Sequence, residues 1–185
     1  QDAARPMWQA ILAAKPEPNA ILVSDNRNEI VPLYYLQSVE NFATSLTGLF
    51  PLITPDASFA DVGATLDRAL QSTQPVYLIK PMSGLEVRFD LAAANPPLVR
   101  VLGPAVKSTP KHAVGQPLGG LTLTGYDWQQ AGEVVQIDLH WLVNEKLATK
   151  YTTTIQLFDA AGEKLTQDDA APGGDFYPTS LWKVG

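Results

Sequence analysis

Ser24-Asp25-Asn26-Arg27 sets a hydroxyl, a carboxylate, an amide and a guanidinium side by side, directly after the apolar run Ala20-Ile21-Leu22-Val23. Asp56 and Lys80 follow two further runs of the same kind. Where such runs are parallel strands, ligands bind beyond their carboxyl ends, at the point where neighbouring connections diverge. Asp25, Asn26, Arg27, Asp56 and Lys80 are therefore the candidate ligand-binding residues, suited to a small polar molecule. The loop after the first run holds no glycine, so it forms neither the dinucleotide fingerprint nor a phosphate-cradling loop, both of which need close backbone approach. The plain structural alternative is that Asp25 and Asn28 cap a helix while Arg27 and Lys80 pair with nearby acids.

Other reactive chemistry is scarce. The only two histidines are His112, in a proline-rich stretch, and His140, between polar residues of an alternating segment, and nothing in their spacing joins them to carboxylates as a triad or metal site requires. The absence of cysteine removes disulfides, thiolate zinc sites and cysteine nucleophiles. Asp168, Asp169 and Asp175, near Gly173 and Gly174, offer oxygens to calcium, but their spacing fits no established loop. No catalytic residue, metal or cofactor is assigned. Aromatic residues offer a different chemistry, because flat rings exposed on a sheet stack against sugars. Tyr126, Trp128 and Trp182 are the candidate sugar platform; Tyr177 is a weaker candidate, and Trp141 falls on the inward face of its strand.

The elements that must position these groups follow from hydrophobic rhythm. Residues 6–14 space Trp8, Ile11 and Leu12 as a helix, stopped by Pro16 and Pro18. Residues 20–23 read as a strand buried on both faces, and residues 29–46 as a helix that tolerates Pro32 only in its first turn. Gly48 ends that helix, and residues 49–53 read as a second strand, placed at an edge by Pro51. Thr54 to Ser58 start another helix, with Ser58 as cap and Asp61 in the acidic third position, and residues 76–79 form a third strand. Residues 85–91 and 98–102 extend the sheet as an antiparallel hairpin. Beyond residue 117 only period-two patterns remain, in 121–124, 135–143, 151–158 and 164–167, with Gly162 closing a hairpin turn. The expected fold class is thus α/β plus all-β: a small three-layer, Rossmann-like domain with a mainly parallel sheet over 1–106, a linker over 107–117, and a β-sandwich over 118–185 that is short of strands.

Composition bounds the partners. With 45% hydrophobic and 17% charged residues the chain can bury a core, and its net charge of −6 without a basic cluster argues against a nucleic-acid partner or an anionic membrane surface. No apolar run reaches the length of a membrane span and no signal-peptide pattern opens the chain, so this piece is not expected to insert in a membrane. The start at Gln1 and the abrupt Lys183-Val184-Gly185 end read as cuts in a longer protein.

The segments Ala20-Ile21-Leu22-Val23-Ser24-Asp25, Leu33-Tyr34-Tyr35-Leu36-Gln37, Leu66-Asp67-Arg68-Ala69-Leu70 and Pro75-Val76-Tyr77-Leu78-Ile79, followed by Leu157-Phe158-Asp159 and Tyr177-Pro178-Thr179-Ser180-Leu181-Trp182, resemble the soluble C-terminal region of bacterial polytopic membrane proteins similar to glycosyltransferases that use lipid-linked sugars. The resemblance covers most of the chain and rests on structural motifs. In that family the catalytic carboxylate lies in the membrane portion, so no catalytic residue carries over. The resemblance implies a non-catalytic, extracytoplasmic binding or interaction region on a bacterial membrane protein, with a glycan, an envelope protein and the parent membrane portion as partners. The other readings are an independent small α/β enzyme or sugar-nucleotide-binding protein that uses the strand-end crevice, and a purely structural spacer.

Overall fold

The computed structural model describes residues 4–53 and 56–185, so Thr54 and Pro55, where a helix start is expected, lie outside the described residues. The chain divides into two units, one comprising Gln1–Val106 with Asp175–Tyr177 and the other Lys107–Gly174 with Pro178–Gly185.

The first unit runs α1 (Ala4–Ala13), β1 (Ile21–Val23), α2 (Arg27–Ser38), β2 (Thr47–Leu49), α3 (Val62–Ala69), β3 (Val76–Leu78), β4 (Phe89–Ala93) and β5 (Val99–Pro104). Its five strands form one sheet in the order β2-β1-β3-β5-β4. β1 pairs in parallel with β2 and β3, whereas β5 is antiparallel to both β3 and β4. The sheet is therefore mixed, and the expectation of a mainly parallel, Rossmann-like three-layer domain is wrong. Among the described residues strand makes up 34% against 21% helix, so the molecule is a small multi-sheet α/β protein. The physical reason lies in the Phe89–Pro104 hairpin, which returns along β3 in the opposite sense and supplies half of the strand pairings.

β1 and β3 are buried at every residue, which is why their sequences are uninterrupted apolar runs rather than alternating ones. One core cluster joins Trp8 and Ile11 of α1, Ile30 and Leu33 of α2, and Leu22 and Tyr77 of the strands. Fully burying a side chain such as Leu22 contributes about 1.5–3 kcal/mol relative to leaving it in water. The Trp8 indole N–H donates to the Glu29 carbonyl at 2.7 Å and pins α1 to the start of α2. Gly48 of β2 lies so close to α2 that a Cβ there would meet Ile30 Cγ2 at 2.5 Å.

Several local boundaries differ from expectation. Asn26, not Asp25 or Asn28, caps α2, its side chain accepting from the Asn28 N–H at 2.9 Å. α2 then begins at Arg27, so Pro32 lies beyond its first turn, and the helix stops at Ser38; Asn41 and Ala43 then take left-handed conformations that no helix continues. β2 is centred on Gly48 and lies at the sheet edge, while residues 50–53 are not strand. Asp61 is the cap of α3, accepting from the Ala64 N–H at 2.8 Å, and Ser58 lies in a separate short 3-10 turn capped by Asp56.

The second unit contains β6 (His112–Leu118), β7 (Leu121–Ala131), β8 (Val134–Val143), β9 (Thr153–Phe158) and β10 (Lys164–Ala170). β6-β7-β8 form a three-stranded antiparallel sheet and β9-β10 a separate two-stranded one. The β-sandwich expected over 118–185 is accordingly replaced by two small antiparallel sheets, and β6 occupies part of the stretch read as a linker. The turns behave as the residue types dictate. Gly119, Gly132 and Gly162 adopt positive φ in the three hairpin bends, and the Asp159 carboxylate accepts from the Ala161 and Glu163 N–H groups. The core of this unit is thin: Leu121, Val143 and Leu147 are buried, with Trp141 and Trp182 packed against them.

Candidate functional site

The carboxyl ends of β1 and β3 are adjacent, and the chain leaves them in different directions, toward α2 and toward the 3-10 turn Leu85–Val87. Ser24, fully buried one residue past β1, donates through its hydroxyl to Glu29 Oε2 at 2.5 Å and accepts from the Asn26 N–H at 3.0 Å. Lys80, just past β3, places its ammonium 2.7 Å from Glu29 Oε1 and 3.1 Å from Asp25 Oδ1. Asp25 Oδ1 is itself buried and faces that ammonium without a directed hydrogen bond. Phe176 completes the surroundings, with its ring centroid 5.7 Å from Lys80 Nζ. Burial acts to lower the Lys80 pKa, but the Glu29 and Asp25 carboxylates outweigh it and the pKa is raised. The result is a half-buried cluster of one cation and two anions whose charges are committed to one another.

Of the candidate ligand-binding residues, the fold brings Asp25 and Lys80 into contact and places Asn26 beside them as helix cap. Arg27 points into solvent and forms no ion pair among the described residues. Asp56 caps the short turn Ala57–Phe59 by accepting from the Ser58 N–H, a contact that lowers its pKa. Glu29 is the residue that sequence reasoning passed over; Ser24, whose hydroxyl the sequence already places on this rim, is its partner. Glu29 stands three residues after the cap Asn26, the position where a capping carboxylate is common, and that spacing was the available signal. Here Glu29 turns instead to Ser24 and Lys80.

The aromatic candidates do not form one platform. Trp182 packs on the Leu121–Val143–Leu147 cluster, at the β7 end where Leu121 pairs with Val143. Trp128 pairs with Ile137, seven residues farther along β7, which is about 20 Å at the rise of a strand. Trp128 is 52% exposed and lies on the strand face shared with Tyr126, Ile137, Leu139 and Trp141, all of them only half-buried. Tyr126 stacks on His112, with ring centroids 4.9 Å apart and planes 19° apart. The opposite face of the ribbon is polar: Gln129 donates to Gln136, Gln136 donates to Asp138, and His140 Nε2 lies 2.9 Å from Asp127 Oδ2. Asp127 also accepts from the Lys111 N–H, which chiefly lowers its pKa, with His140 adding to the effect.

No group of three or more histidines, cysteines or acids able to hold a metal occurs among the described residues, and Asp169 is engaged by Gln167 and Thr154. No helix among the described residues is long and apolar enough to cross a membrane. No family model, curated protein or solved structure matches this chain.

Proposed function

We propose that this chain is a non-catalytic binding and interaction region that works through the aromatic face of the β6–β8 sheet, with a glycan as ligand. The observation that carries this reading is Trp128, half exposed on a strand face whose remaining apolar residues are only half covered. A ring held on a hydrogen-bonded ribbon is already oriented, so stacking a sugar on it costs little ordering of the protein. The resemblance to the extracytoplasmic region of membrane glycosyltransferase-like proteins supports a setting in cell-envelope sugar chemistry. The internal pairing of Lys80, Asp25 and Glu29 supports the same reading from the other side, because a general base or nucleophile must be free to meet its substrate. NMR titration with oligosaccharides and nucleotide sugars tests it: the proposal expects saturable shifts at the Trp128 indole and its neighbours on β8. Saturable shifts confined to Ser24, Asp25 and Lys80 would instead mark the strand-end crevice as the binding site and remove the proposal.

A further inference from the structure

Three residues near the end of the chain, Asp175–Tyr177, belong to the first unit although the segments on both sides of them belong to the second. Their fastening is specific. Tyr177 is 3% exposed, and its hydroxyl accepts from Arg88 Nη1 at 2.5 Å. Arg88 is held in turn by Asp67, and its guanidinium lies over the rings of both Phe89 and Tyr177, 5.5 and 5.6 Å from their centroids. The Tyr177 ring rests on α3 at Gly63, where a Cβ would come within 2.7 Å of Cε2, so this close approach needs glycine. Burial raises the Tyr177 pKa, which keeps the phenol neutral as the acceptor for Arg88. One residue earlier, Phe176 lies over Lys80 in the crevice between β1 and β3. The segment is bounded by Gly173 and Gly174, the latter turning the chain at φ +56°, and by Pro178, whose ring fixes φ.

We infer that Asp175–Tyr177 is a strap over the strand-end crevice, with Tyr177 as its anchor and Phe176 as its cover on Lys80, and that Lys80, Asp25 and Glu29 meet solutes fully only when the strap lifts. A short segment fastened through the buried Tyr177 ring, its hydrogen bond from Arg88 and the cation–π contacts of Phe176 and Tyr177 can open without unfolding the sheet beneath it, since local openings cost less than global ones.

Acylation of lysines by an N-hydroxysuccinimide acetate, followed by peptide mass spectrometry, reads the cover directly. In the intact chain Lys80 is expected to react at least about fivefold more slowly than the exposed Lys107 and Lys111. Phe176→Ala and Gly63→Ala, the first removing the cover and the second expelling the anchor, are each expected to raise the Lys80 rate by about fivefold while Lys107 and Lys111 keep theirs. If both variants are folded and the Lys80 rate does not change, its protection comes from Asp25 and Glu29 alone and the strap is refuted. Hydrogen exchange on the unmodified chain guards against variants that fail to fold. The amides of Phe176 and Tyr177 should exchange at least tenfold faster than those of Leu22 and Tyr77, and exchange at the same rate as those strands would show a fixed structural element instead.

Discussion

Lys80 illustrates how a residue picked for its chemistry is used for structure. Its ammonium holds two carboxylates from the loop and the first turn of α2, so truncation leaves two partly buried acids facing each other. Lys80→Met is expected to lower stability by about 1–3 kcal/mol in urea denaturation, between the values of exposed and buried ion pairs. The pH dependence has a defined sign. Because the folded-state pKa of Lys80 is raised, its contribution is complete below the ordinary lysine value and is lost as pH rises through the raised one. Unfolding titrations should therefore show the difference between the intact chain and Lys80→Met shrinking only in strongly alkaline solution. Asp127 behaves oppositely: its pKa is lowered, so its contribution is present above the ordinary carboxylate range and disappears as pH falls through the lowered value. An Asp127→Asn variant should approach the intact chain in stability in acid.

At the scale of elements, the contact of α2 with β2 depends on Gly48. Gly48→Ala drives a methyl group into Ile30 and Leu33 and is expected to cost about 1–3 kcal/mol by overpacking, measured as a shift in the urea midpoint without a change in slope. The elements also show what could be read in advance. β1 and β3 were legible because strands buried at every residue must be continuous apolar runs, and the odd positions from Val135 to Val143 announced the more covered face of β8. The end of α2 was not legible, because Val39, Ala43 and Leu46 continue a helical spacing that left-handed Asn41 and Ala43 interrupt. The pairing of β5 with β3 was not legible either: the antiparallel hairpin of β4 and β5 was expected, but a parallel and an antiparallel neighbour to β3 leave the same apolar imprint on Val99 and Val101. In the crevice, Asp25 and Lys80 were legible from their places after strands. Phe176 was not, because ninety-six residues separate it from Lys80 and no local pattern encodes that approach.

Across the whole molecule, buried apolar side chains are concentrated in the first unit. Of the second unit's large side chains only Leu121, Val143 and Leu147 are buried apolar ones, and every residue of β10 is exposed. Local stability follows buried contact, so the two units are expected to open at different free energies. Amides of β9 and β10 should exchange at least about tenfold faster than those of β1 and β3, and thermal unfolding followed by tryptophan fluorescence should depart from a single two-state transition. The same distribution leaves the aromatic face of the β6–β8 sheet as the broad apolar surface that the second unit itself does not bury.

That face is best tested by one titration. Fluorescence or calorimetric titration of the intact chain and of Trp128→Ala with a series of oligosaccharides should give saturable binding that weakens about tenfold or more in the variant, the loss expected when a central aromatic contact is removed. Binding that is saturable and unchanged in Trp128→Ala would contradict the account.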